Sequence, residues 1–94
     1  MEDDQKDVSL MTNMHAEFAA ELAAADQQRD ITSLHDGYGL LLEEMDEFWT
    51  QVKLNPAMRD YDNIAKELTQ IMAVAWRIKR DVVRPVLAQR VEGS

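Results

Sequence analysis

Cysteine is absent from the 94 residues, which excludes disulfides and thiolate metal sites. Glycine and proline are scarce, at three and two residues, and 46% of the chain is hydrophobic, so it is neither disordered nor fibrous. Bases are also few: ten Lys and Arg stand against 18 Asp and Glu, for a net charge of −8. A chain so acidic lacks the basic face that displaces counterions from a duplex, so duplex nucleic acid is excluded as a partner. No apolar run approaches 18 residues and the N-terminus is acidic (MEDDQKD), so neither a signal peptide nor a membrane span is read. A cytoplasmic protein of one domain, residues 1–94, is the expectation.

The acids are unevenly placed. Residues 1–58 carry 13 of the 18 acids and three of the ten bases, whereas residues 59–94 carry five acids and seven bases. Such an acidic half suits a cation, or a ligand that arrives with one.

What remains is helical in pattern. Met11, Met14, Phe18, Leu22 and Ala25 recur at spacings of three and four, predicting a helix over about 8–28. Ser33-Leu34-His35-Asp36 reads as a capping box that starts a second helix near Leu34. Its stripe is Tyr38, Leu41, Leu42, Met45, Phe48, Trp49 and Val52, which places Tyr38 and Trp49 in the core, and Asn55-Pro56 ends it. A third helix, capped by Asp60 or Asp62, runs to about Val83 on a stripe of Ile64, Leu68, Ile71, Ala75, Ile78 and Val82. Arg84-Pro85 interrupts it before a last short helix over 86–91. Residues 1–7 and 92–94 are expected to fray.

The predicted fold is therefore all-α, with three main helices and a short C-terminal one. So small a core is marginal alone. Trp76 stands about 100° from the third stripe's centre, either against the fourth segment or on a second buried surface. With the Met-rich first helix, this predicts completion by oligomerisation, as a homodimer or homotetramer.

The segment Glu43-Glu44-Met45-Asp46-Glu47 places four carboxylates in five positions, although like charges at (i, i+4) cost about 0.2–0.5 kcal/mol. Glu44 and Glu47 share a face with Leu40 and Gln51, about 60° apart. On the third helix Glu67 lies on the flank of the apolar stripe, followed by Gln70 one turn on. If the two helices pack antiparallel, Glu44, Glu47, Glu67 and Gln70 converge as hard oxygen donors of the kind Mg²⁺ or Mn²⁺ prefers. The competing readings are a solvated acidic face and a Glu67 ion pair with Lys53 or Arg77. Neither His15 nor His35 follows a Glu by three, so the Glu-x-x-His pairs of a di-iron bundle are missing. No H-E-x-x-H, Gly-rich phosphate loop or G-x-S-x-G is present either. His35 is assigned to capping or packing.

E-E-x-x-E at 43–47, then Glu67-Leu68-Thr69-Gln70 after 19 residues, resembles the MazG-like all-α nucleoside triphosphate pyrophosphohydrolases, whose signature is E-E-x-x-E followed by E-x-x-D. The string HDGYGLLLEEMDEFWTQVK is similar to the small MazG-like proteins of bacteria, phages and mobile cassettes, and the resemblance covers roughly 33–83. It implies a MazG-like helical bundle with Glu44, Glu47 and Glu67 as metal ligands, Gln70 replacing the family's Asp as the fourth. It implies a Mg²⁺-dependent enzyme, with Mn²⁺ a possible substitute, that cleaves a nucleoside triphosphate between the α and β phosphates. Glu44 or Glu47 would then act as the general base. Lys53, Arg77, Arg80 and Trp76 are the candidate substrate-binding residues, with Lys79 and Arg84 nearby. For the bases near the third helix's end, the competing role is compensation of the helix dipole. Gln70 also motivates an alternative: a non-catalytic helical nucleotide-binding or protein-interaction module.

Overall fold

The computed structural model describes residues 2–92, with side chains described for 8–90. Within these bounds the chain is helical throughout its regular parts. Helix α1 spans Glu2–Ala25, α2 Leu34–Val52, α3 Tyr61–Ile78 and α4 Arg84–Glu92. The first helix thus starts earlier than its apolar pattern suggests and ends three residues sooner, in a turn where Gln28 N donates to Ala25 O. The predicted fraying of 1 and 93–94 lies outside the described residues.

Local chemistry sets the boundaries. Ser33 caps α2, its hydroxyl accepting from Asp36 N at 3.0 Å. The reciprocal half of the expected capping box does not form. Asp36 turns outward, taking two hydrogen bonds from Arg29 (2.7 and 2.8 Å) and one from Thr32 N at 3.0 Å. These bonds, Arg29's first, hold its carboxyl well below the usual range. At the far end of α2, Arg59 donates to the carbonyls of Gln51, which also accepts from Leu54 N, and Val52, among the last carbonyls that a helix leaves without intrahelical partners. A 3₁₀ turn at Pro56–Met58 follows, and Asp60 caps α3.

The junction at Pro85 differs from expectation. Regular α-helix stops at Ile78, and Lys79–Val83 form a wide π turn in which Arg84 N donates to Lys79 O. Helix then continues directly into α4. Proline cannot donate to the carbonyl four residues back and its ring clashes with it. The wide turn re-phases the hydrogen-bond ladder just ahead of Pro85, so the chain does not break.

Helix α3 is central, contacted by both α1 and α2. The α2–α3 pair is antiparallel, as three pairings along it show. A Cβ on Gly37 would lie 2.6 Å from Ile78 Cγ1, Gln70 reaches Glu44, and Asp60 N donates to the Gln51 side chain at 3.0 Å. The close approach at Gly37 needs a residue without a side chain.

Burial is sparse. Among the described residues only Ala25, Ile31 and Ala73 are buried apolar side chains. The second helix's stripe is split: Leu41, Phe48 and Val52 turn toward α3, whereas Tyr38 (63% exposed) and Trp49 (55%) do not enter the core. The reason is rotational, since residues about 100° apart on one broad stripe cannot all face one neighbour. The radius of gyration, 16.7 Å, exceeds the roughly 12 Å of a compact chain this long. No helix is long and apolar enough to cross a membrane.

Candidate metal centre

Two consecutive turns of α2 and one of α3 supply the acids. Glu44 is half-buried, Glu47 exposed and Glu67 buried at 8% exposure, and a carboxylate oxygen from each lies within 4.8 Å of the others. The spacing of three between Glu44 and Glu47 puts both on one side of α2, and the antiparallel register brings Glu67 opposite them.

Gln70 belongs to the same group. With its amide nitrogen turned inward it donates to Glu44 Oε2 at 3.0 Å and to Glu67 Oε2 at 3.2 Å. All four expected donors therefore converge, as the sequence pattern predicts. Gln51, read on the same face, instead accepts from Asp60 N across the far end of the helix pair.

Charge makes the cluster unusual. The bases of the competing reading, Lys53 and Arg77, do not pair with Glu67: among the described residues the ion pairs are Arg29–Asp36, Arg80–Asp26 and Arg80–Asp81. Burial pushes the Glu67 carboxyl up to about 7, aided by its hydrogen-bonded neighbours Glu47 and Glu44 and by their charge. Burial likewise raises Glu44, opposed by a hydrogen bond with Glu67 and reinforced by the charges of Glu47 and Glu21. A buried carboxylate without a base must be protonated or neutralised by a cation.

Glu21 is the acid that the sequence reading passed over. It is half-buried on α1, between Phe18 and Ala25 on the helix's packed side, and that placement was the available signal. Beside it, Glu17, Glu21, Asp62, Lys66 and Thr69 line a cleft of about 480 Å³ between α1 and α3.

The other candidate residues lie apart from the acids within one chain. Arg77 is buried at 3% exposure and donates to the Arg29 carbonyl at 2.7 Å, tying the α1–α2 connection to α3, while its Nε has no partner. Arg80 bonds Asp26 and Asp81, both at 2.7 Å, and lies over the Trp76 ring at 4.9 Å. Asp81 in turn accepts from Ile31 N at 3.1 Å. Trp76, nine residues beyond Glu67, is about half a revolution round α3 and roughly 13 Å along it. It lines a cleft of about 270 Å³ with Lys79, Arg80 and Arg84. Lys53 is exposed, about 120° round α2 from Glu47. His35 is exposed as well, and the cap is Ser33.

Set against known proteins, the chain matches no family model, no curated protein and no solved structure.

Proposed function

We propose that Glu44, Glu47 and Glu67 hold a divalent cation, Mg²⁺ or Mn²⁺, and that the chain is a nucleoside triphosphate pyrophosphohydrolase. The observation that carries the metal reading is Glu67: a buried carboxylate beside two others, with no base among the described residues to neutralise it. The donor set fits the ion, since hard cations take carboxylate oxygens and tolerate one amide oxygen. The substrate class follows from the resemblance to MazG-like enzymes at E-E-x-x-E and Glu67-x-x-Gln70.

When bound, the ion would neutralise phosphate charge and acidify a water for in-line attack. Glu44 and Glu67 approach from opposite helices and would fix its position. Of the two candidate bases, Glu44 and Glu47, the exposed Glu47 would be the less committed to metal and would accept a proton from the attacking water. The products would be a nucleoside monophosphate and pyrophosphate, a reaction suited to clearing unwanted nucleotides in the cytoplasm. Assembly into a homodimer or homotetramer is part of this reading. Trp76, Arg80 and Lys53 would then serve a site shared between subunits, since within one chain they lie away from the acids.

A second reading has its own observation. Gln70 already hydrogen-bonds two of the three carboxylates, so the cluster is partly satisfied without a cation. A helical nucleotide-binding or protein-interaction module would need no more. Pyrophosphate release from a panel of canonical and modified dNTPs with Mg²⁺ separates the two. Turnover abolished by Glu44→Gln supports the enzyme, and no release from folded protein with any nucleotide overturns it.

A further inference from the structure

The carboxylate cluster and Lys66 open on the same side of the α2–α3 pair. On α3, Gln70 stands about 60° round from Glu67, and Lys66 about 100° round in the same sense. Lys66 precedes Gln70 by one turn, the spacing at which side chains are neighbours. On α2, Glu47 is rotated about 60° from Glu44, again in that sense. In an antiparallel pair, equal rotations along the two sequences turn to the same side. Glu47, Gln70 and Lys66 therefore share one surface. Lys66 lines the cleft of about 480 Å³ between α1 and α3, with Glu21 supplied by the opposite helix. Glu21 stands near enough to the cluster for its charge to act on Glu44. Cleft and carboxylates thus adjoin.

We infer that Lys66 is the phosphate-binding residue of this site, and that the substrate's phosphates lie in the α1–α3 cleft as their metal complex. The inference rests on the function proposed above, and three observations carry it. The first is position. Among the described residues, Arg77 is buried on a backbone carbonyl, Arg80 is held in two ion pairs and Arg59 closes the end of α2. Lys53 stands about 120° round α2 from Glu47. Lys53 and Arg80 reach the acids only from a second subunit, whereas Lys66 shares their chain and lies within one turn of Gln70.

The second is availability. Lys66 is exposed and makes no ion pair among the described residues, although Glu17, Glu21 and Asp62 line the same cleft. Its ammonium is a mobile point charge, the form in which lysine holds phosphate. The third is charge. One divalent ion does not cancel a triphosphate set beside three carboxylates, so a phosphate tail there needs a base. The acids of the cleft outnumber its single lysine and repel a phosphate that arrives without a cation. The cleft therefore selects the metal-bound form. Its volume falls within the roughly 300–1,000 Å³ of small-molecule sites.

The test reads binding rather than turnover, by calorimetry on the full chain. The probe is inorganic tripolyphosphate, a phosphate tail without base or sugar. Lys66→Gln should bind Mg²⁺ at least as tightly as wild type, since it removes a charge that opposes the ion. In saturating Mg²⁺ it should bind tripolyphosphate more weakly by about tenfold or more, and Lys66→Arg should restore most of the loss. Arg90→Gln, which removes the same charge from an exposed position on α4, should match wild type. Without metal, none of these proteins should bind the probe. A wild type that binds no Mg²⁺ would sink the metal reading itself, and this inference with it. A wild type that binds Mg²⁺ but not tripolyphosphate, or a Lys66→Gln that binds both as wild type does, would overturn the role of Lys66 and leave the metal centre standing.

Discussion

With its amide turned so that nitrogen faces the acids, Gln70 donates to Glu44 Oε2 at 3.0 Å, so a neutral side chain on α3 holds a carboxylate of α2 in place. That bond defines the metal-free state of the cluster. From that orientation Gln70 serves as a ligand only when its amide turns over to present oxygen, and the hydrogen bonds to Glu44 and Glu67 are lost as it does so. Gln70→Asp removes the donor and adds a charge. The variant should bind Mg²⁺ or Mn²⁺ more tightly than wild type in calorimetry. Without metal it should be less stable by about 1–3 kcal/mol, the cost of losing hydrogen bonds at a buried acceptor. Equal metal-free melting temperatures would contradict that role for Gln70.

Glu67 predicts a dependence on pH. Its carboxyl holds a proton up to about 7 in the folded chain, against an ordinary value of 4.5. A group that binds its proton more tightly when folded stabilises the fold at low pH and loses that contribution as pH rises through the folded value. The metal-free protein should therefore melt at progressively lower temperature between about pH 4.5 and 7. Glu67→Gln, which cannot ionise, should flatten this part of the profile. Saturating Mg²⁺ should also flatten it by favouring the ionised form. A wild-type profile already flat between these values would count against the assignment.

The glycines of α2 should respond in opposite directions. A Cβ on Gly37 would lie 2.6 Å from Ile78 Cγ1 and 2.9 Å from Cδ1, whereas one on Gly39 meets nothing within 4 Å. Gly37→Ala should cost about 1–3 kcal/mol through overpacking. Gly39→Ala should gain about 0.5–1 kcal/mol by lowering the entropy lost on helix formation. Thermal melts of the two variants suffice, at roughly 4–8 °C per kcal/mol for a domain of this size.

Arg77 joins elements that are far apart in sequence. Its bond to the Arg29 carbonyl, with Asp81 bound to Ile31 N nearby, anchors the α1–α2 connection on the end of α3. Arg77→Met should cost about 1.5–3 kcal/mol, the range for hydrogen bonds made by charged groups. Any nucleotide turnover, expressed per folded molecule, should stay unchanged. A selective rise in KM with stability intact would instead place Arg77 on the substrate.

These residues mark what the sequence could disclose. Helix periodicity and caps located α2 and α3 to within a few residues, because Ser33, Asp60 and Asn55-Pro56 act on their immediate neighbours. The convergence of Glu44, Glu47, Glu67 and Gln70 was also legible, since i, i+3 spacing and one antiparallel contact determine it. Three features were not. The stripe of α2 splits because Gly37 lets α3 approach off its centre, a fact about two helices rather than one. Arg77 reads as a partner for Glu67, a substrate-binding base or compensation for the helix dipole, whereas its partner is a backbone carbonyl 48 residues away, which has no side-chain signature. The π turn before Pro85 re-phases a helix where local rules predict a break.

Direct titration of the metal-free chain with Mg²⁺ or Mn²⁺ tests the central claim most closely. Wild type should show saturable binding that Glu67→Gln and Glu44→Gln each weaken at least tenfold. Glu43→Gln, which alters the same acidic run at a position outside the cluster, should bind as wild type does. Equal binding by all four proteins, or none by any of them while folded, would contradict a metal centre at Glu44, Glu47 and Glu67.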